Sequence, residues 1–216
     1  VIIFDIETEA HPDARRYVKA KAPSNYKDPA KIAEYVAIKT REEIEQAALD
    51  PDLCTVRAIG VLPIAPADPA LTFVPDPVVM VLGDGWNEPE MIRNFWELLW
   101  SHRGECVGYN ILGFDFPVLL HRSMELGIQA MSHHNVALDF RRYQTFPIRD
   151  LYGILFNWQP GRGLKWVCER YSIARTTVGK DGSMVKDMAN AELREYLTDD
   201  LRSVLNLHAM MQGVYF

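Results

Sequence analysis

The order of segments along the chain predicts an α/β domain, a mixed sheet of about five strands flanked by helices. Three observations carry this. The chain opens on a β-branched and aromatic run, Val1-Ile2-Ile3-Phe4-Asp5-Ile6-Glu7-Thr8. Strand-like runs come early as a group, and helical patterns alternate with strands afterwards. A long segment with an apolar stripe, Ala189 to Met211, closes the chain as a helix.

The first strand organises the rest. Side chains alternate faces along a strand, so Asp5 and Glu7 point the same way, about 7 Å apart along the backbone. Ile2, Phe4 and Ile6 point the other way, into a core. Two carboxylates on one face of a buried strand are costly unless something pairs with them. Oxygen ligands at this spacing suit Mg²⁺ or Mn²⁺ rather than zinc. The bland alternative is an edge strand with one solvated face.

A polar stretch, Glu9 to Asn25, follows. Asp28 as N-cap and Pro29 at the first helical position open a helix over Ala30 to Leu49, with Ile32, Tyr35, Val36 and Ile44 as candidate buried positions. This excursion, roughly residues 10–50, reads as an insertion over one end of the sheet, inside a single domain spanning the chain. Thr55 to Leu62 is the second strand. Pro63, Pro66, Pro69, Pro75 and Pro77 mark a loop. Val78 to Leu82 is the third strand.

Asn87, Pro89 and Glu90 start a helix whose Ile92, Phe95, Trp96 and Leu99 form a core stripe. Glu105 to Tyr109 is the fourth strand, and a helix runs from Asp115 to Gly127. Leu138 to Arg141 is the expected fifth strand. Short helices over Arg149 to Phe156 and Leu164 to Tyr171 follow, then a turn at Lys180-Asp181-Gly182-Ser183.

Composition is that of an ordinary globular protein, with 48% hydrophobic and 24% charged residues. No run is long and apolar enough for a membrane span, and no basic, apolar leader opens the chain, so no membrane partner is expected. The absence of an initiator Met leaves room for a longer parent chain. Cys54, Cys106 and Cys168 are scattered and lack zinc spacing, which fits a reducing cytosol.

A net charge of −6 argues against a protein that coats nucleic acid generally. The charge is uneven, however. Residues 14–41 hold Arg15, Arg16, Lys19, Lys21, Lys27, Lys31, Lys39 and Arg41 against Asp28 and Glu34. A basic segment on an acidic body fits a protein that touches phosphates in one place. A solvated helix face is the competing reading.

Two further stretches carry chemistry. The turn Gly108-Tyr109-Asn110-Ile111-Leu112-Gly113-Phe114-Asp115 sets an acid at the start of a helix that follows a strand. Helix capping alone would explain such an Asp. In the last helix, Tyr196 and Asp200 are four residues apart and share a face. Asp199 is turned about 100° from Asp200, which predicts a solvated side chain.

Together the three stretches resemble the DEDD superfamily of 3′–5′ exonucleases, on the ribonuclease H-like fold. Phe4 to Thr8 resembles its first motif, Asn110 to Asp115 its second, and Tyr196 to Asp200 its third. The tyrosine is the mark of the DEDDy branch, which includes proofreading domains of family B DNA polymerases. The DEDDh branch needs His where this chain has Glu195. There is also a likeness to stand-alone phage and bacterial exonucleases related to those domains.

The resemblance implies a two-metal mechanism, with Asp5, Glu7, Asp115 and Asp200 holding two Mg²⁺ or Mn²⁺ ions. It implies that Tyr196 orients the attacking water, and that Thr8, Asn110 and Phe114 lie near the terminal nucleotide. The implied substrate is single-stranded DNA or the frayed 3′ end of a duplex, cut to nucleoside 5′-monophosphates. RNA is the alternative substrate, and replication or repair proteins are the implied partners. Arg15, Arg16, Lys19, Lys21, Lys27 and Lys31 are expected to form part of the nucleic-acid track. Against this stands a catalytically silent binding domain, which would normally have lost one or more of the acids.

Overall fold

The computed structural model describes residues 1–64, 75–130, 138–177, 179–180 and 182–216. Pro66 and Pro69 of the expected loop, and Asp181 of the expected turn, lie outside the described residues. Among the described residues there are five strands: β1 (Ile2–Ala10), β2 (Cys54–Pro63), β3 (Val78–Val81), β4 (Cys106–Gly108) and β5 (Ile148–Asp150). They form one sheet in the order β3-β2-β1-β4-β5. β1 and β4 run parallel with Ile2 opposite Cys106, and β4 and β5 run parallel with Gly108 opposite Asp150. β2 and β3 are antiparallel with Gly60 opposite Val79. The sheet is therefore mixed, as the segment order predicts.

The helices are α1 (Ala14–Tyr17), α2 (Pro29–Glu45), α3 (Glu88–Ser101), α4 (Asp115–Glu125), α5 (Leu151–Leu155), α6 (Leu164–Arg170) and α7 (Asn190–Met211). The fifth strand is not where it was expected. Residues 138–141 carry no regular structure, and β5 lies at Ile148–Asp150. Its three residues include two charged ones, so no local pattern announces it. What makes it a strand is its pairing with β4, some 40 residues away.

Both faces of the sheet are covered. On one, Phe4 packs against Phe95 of α3 and Phe116 of α4, with ring centroids 4.8 and 5.1 Å apart. On the other, Ile3, Leu62 and Val107 meet Leu201, Val204 and Leu205 of α7. Ile3, Asp5 and Glu7 share a face by strand alternation, so the two acids lie on the side that α7 covers. Gly60 lets that helix come close: a Cβ there would meet Leu197 and Leu201 at 2.8 Å.

α3 begins with a capping box in which Asn87 and Glu90 satisfy each other's backbone N–H groups. Its Glu88 accepts two bonds from the buried Arg122 guanidinium, at 2.8 and 2.7 Å, and one from Val56 N at 2.8 Å. Helix α3, helix α4 and strand β2 are thereby tied through one carboxylate.

Val1–Glu7 with Val56–Phe216 form one compact unit, and Thr8–Thr55 form a second. Within the second, α2 starts as the sequence predicts. Asp28 accepts from Ala30 N at 2.9 Å, and Pro29 occupies the first turn. The expected buried positions are a correction: no residue of α2 is buried, and Ile32, Tyr35, Val36 and Ile44 are half-buried. The helix is amphipathic, but a unit of this size has little interior to bury its stripe in.

Candidate metal centre

The site is built on the first unit. Asp5 and Glu7 stand on β1, held from below by Ile3 and from the opposite face by Phe4 and Ile6, all buried. Asp200 reaches them from α7, whose Leu197, Leu201 and Val204 anchor the helix on the sheet. Asp5, Glu7 and Asp200 each present a carboxylate oxygen, and these oxygens lie within 4.8 Å of one another. Asp5 and Glu7 keep part of their surface in reach of solvent, while Asp200 is buried.

Asp115, at the first turn of α4, is 4% exposed and accepts from the backbone N–H of Ile6 at 3.1 Å. That bond spans 109 residues of sequence and fixes the helix start against β1, between the two β1 acids. The N-cap position is Phe114, so capping does not explain Asp115. It lies outside the tight trio, yet it is among the charges that act most strongly on Asp5 and Glu7.

Burial, reinforced by mutual repulsion, sets the titration of the group. Burial, and then the neighbouring carboxylates, push Asp5 and Glu7 well above the carboxylate range. Asp115 is pushed up to about 7, chiefly by burial and against the opposing pull of its backbone hydrogen bond from Ile6. Burial raises Asp200 too, although Arg175, Lys165 and Tyr196 favour its charged form. Burial, and then the charges of Asp200, Glu7 and Asp5, raise the pKa of the Tyr196 hydroxyl, so it remains a protonated phenol.

The donor set fits a divalent cation. It is all oxygen, concentrated and short of compensating charge, which suits the hard ions Mg²⁺ and Mn²⁺. Asp200 Oδ1 is sealed from solvent and meets Arg175 at 2.5 Å as an ion pair, out of hydrogen-bond alignment. A bound ion would share that oxygen with the Arg175 guanidinium.

Three flanking residues escaped the sequence reading. Arg175 bridges Asp200, at 2.5 Å, and Asp199, at 3.3 Å. Lys165 of α6 places its ammonium 5.2 Å from the centre of the Tyr196 ring, and its charge favours ionised Glu7 and Asp200. Asp150 holds the turn before Asp115, accepting from Asn110 N at 2.9 Å and from Leu112 N at 3.0 Å, while capping α5. Asp150 had a legible signal, an Asp just before the apolar run Leu151-Tyr152-Gly153-Ile154-Leu155. Arg175 and Lys165 had none.

Asp199 is a correction. It is buried rather than solvated, and its carboxylate accepts from the backbone N–H and hydroxyl of both Thr176 and Thr177. These four bonds, from a loop more than 20 residues upstream, compensate its burial and hold its pKa low.

Asn110 adopts a left-handed backbone, φ 63°, at the start of the second-motif turn, a conformation Asn tolerates better than most residues. With Gly113, Arg142, Asp150 and Trp158 it lines a pocket of about 330 Å³. Phe114 is half-buried. Thr8, in the second unit, is buried and donates its hydroxyl to the Ala48 carbonyl. No helix among the described residues is long and apolar enough to cross a membrane.

No curated protein sequence matches the chain. Among solved structures it is similar to the family B DNA polymerase from the hyperthermophilic archaeon Pyrobaculum calidifontis. The TM-score is 0.56 and the identity 21%, over 97% of this chain and 24% of the polymerase. That likeness shows the fold, ribonuclease H-like, and this chain spans about a quarter of the polymerase's length. Residues 77–208, well over half the chain, match the family model described as a predicted 3′–5′ exonuclease related to the exonuclease domain of PolB. The match takes in Asp115, Tyr196 and Asp200, while Asp5 and Glu7 precede it and are joined to the site by the fold. The chain belongs to this family of predicted 3′–5′ exonucleases.

Proposed function

We propose that the chain is a DEDDy-type, metal-dependent 3′–5′ exonuclease. It removes nucleoside 5′-monophosphates from the 3′ end of mainly single-stranded DNA, including frayed duplex ends, within one domain that carries residues 10–50 as an insertion. The observation that carries this reading is the meeting of Asp5, Glu7 and Asp200, from opposite ends of a chain of this family, within 4.8 Å.

Asp5, Glu7, Asp115 and Asp200 would hold two ions, Mg²⁺ or Mn²⁺. Bound divalent ions supply positive charge that makes water more acidic and stabilises charge developing on the phosphodiester. The protein's own groups do the positioning. β1 and α7 fix the acids on rigid elements, which suits a reaction needing in-line geometry. Tyr196, kept protonated by its surroundings, acts as a hydrogen-bond donor that orients water and Asp200, not as a general base. Glu7 helps position the same water. Asn110 and Phe114, in the turn that Asp150 braces, face the terminal nucleotide, and Thr8 steadies the end of β1.

The test is digestion of a 5′-labelled single-stranded DNA with Mg²⁺, with Mn²⁺ and with EDTA, beside Asp5→Ala and a matched RNA. A metal-dependent ladder shortening from the 3′ end, lost in the variant, is the expected result. Degradation of RNA alone would reassign the substrate. No cleavage of either by the intact protein would return the chain to a binding role.

A further inference from the structure

The second unit contains a feature that the metal centre does not use. Tyr26 and Tyr35 meet edge to face, with ring centroids 5.4 Å apart. With Ile38 they wall a pocket of about 610 Å³, enough for a nucleotide. Tyr26 and Ile38 are exposed large side chains, 38% and 46%, with no described packing reason to be so. The rest of the lining is polar. Lys27 and Lys31 stand beside Asn25, Asp28 and Glu34. Asp28 also caps α2, and the lining sets two acids, Asp28 and Glu34, against the two lysines.

The surrounding chain is strongly basic. Residues 14–31 hold six cations and Asp28 as the single acid. Arg16 pairs with Asp13, but among the described residues Arg15, Lys19, Lys21, Lys27 and Lys31 enter no ion pair. Tyr17, 60% exposed, stands within the same stretch. Unpaired cations interleaved with exposed aromatic rings are what a single strand binds: backbone phosphates on the cations, base faces on the rings.

We propose that the Tyr26–Tyr35 pocket of the 8–55 unit is a second binding site for single-stranded nucleic acid. It takes one base against the tyrosines, with the adjoining phosphates on Lys27 and Lys31. The choice of nucleic acid as occupant rests on the exonuclease reading, and the pocket itself does not. Asn25 offers amide hydrogen bonds to a base edge, while stacking makes the site tolerant of sequence.

Fluorescence anisotropy with a labelled oligothymidylate of about 12 nucleotides tests this, in EDTA so that no cleavage intervenes. Lys27→Glu/Lys31→Glu should weaken binding at least about tenfold at low salt and flatten the slope of log affinity on log salt by about 1.4. Tyr26→Ala should weaken binding about tenfold, and Tyr26→Phe should restore it. All these positions are exposed, and thermal melts verify that each variant is folded. A matched oligouridylate, weakened by the same substitutions, would extend the site to RNA. Absence of binding by the unaltered protein, or variants that bind with unaltered affinity and salt slope, would overturn the proposal. The cleavage assay is read separately. A protein that binds through this pocket without cutting loses only the exonuclease reading, and one that cuts while ignoring these substitutions loses only the second site.

Discussion

Around Asp5 charge is enclosed: four carboxylates are gathered by a sheet and two helices, with Arg175 and Lys165 as nearby compensation. In residues 8–55 charge stands in the open. No residue of α2 is buried there, and among the described residues five of the cations over residues 14–31 enter no ion pair. The first arrangement needs a large apolar foundation and costs stability until counter-charge arrives. The second needs almost no core, because exposed lysines and tyrosines keep their hydration. Precision is gained where charge is buried and reach where it is exposed.

The sharpest way to break this contrast is to remove one enclosed charge. Asp5→Asn should lower metal-dependent hydrolysis by about a thousandfold. The same variant in EDTA at pH 8 should be more stable than the parent by about 1–3 kcal/mol, because it relieves burial and repulsion together. Loss of both activity and stability would mean that Asp5 is a structural ligand of the fold.

The pH dependence tests the same point. The acids of the site have folded pKa values raised above their unfolded ones, so the folded state binds protons more tightly. Their stabilisation is complete below about pH 4 and is lost as pH rises through about 7, the value for Asp115. Melting temperature in EDTA should therefore fall from pH 5 to pH 8. Saturating Mg²⁺ or Mn²⁺ should oppose the fall most at the high end, since ions bind the deprotonated form. A profile identical with and without ions would deny the site a cation.

Asp199 and Asp200 sharpen the comparison on a single helix. Asp199→Asn removes the charge that four donors surround and should cost about 1–3 kcal/mol, read in a urea melt with and without metal. Its stability loss should not depend on ions, in contrast to Asp5→Asn. The smallest effect belongs to the open unit. Ile38→Ser on α2 should change stability by no more than about 0.5 kcal/mol, because that side chain is already half in water. A larger loss would show that the unit has an interior that the exposure of α2 conceals.

Much of the fold was legible because it is written in local pattern. The alternation of β1, the capping box of α3 and the stripe of α7 each follow from neighbouring residues. β5 was misplaced because its stability comes from β4, and Asp199 was misjudged because its donors arrive from another loop. Arg175 was invisible for the same reason. A polar loop residue takes on meaning from what it faces, and residue spacing within a loop does not encode that.

The sequence by itself determined the α/β class, the helix that closes the chain, the basic stretch and the pairing of acids on one strand face, since each depends on short-range periodicity or composition. Only the tertiary structure decided that Asp200 joins Asp5 and Glu7, that Asp115 is pinned to Ile6, and that Tyr26 and Tyr35 line one pocket. Those outcomes depend on how close separately encoded elements come when their apolar faces are buried. That distance is set by packing across the whole core, such as the space Gly60 leaves for Leu197 and Leu201.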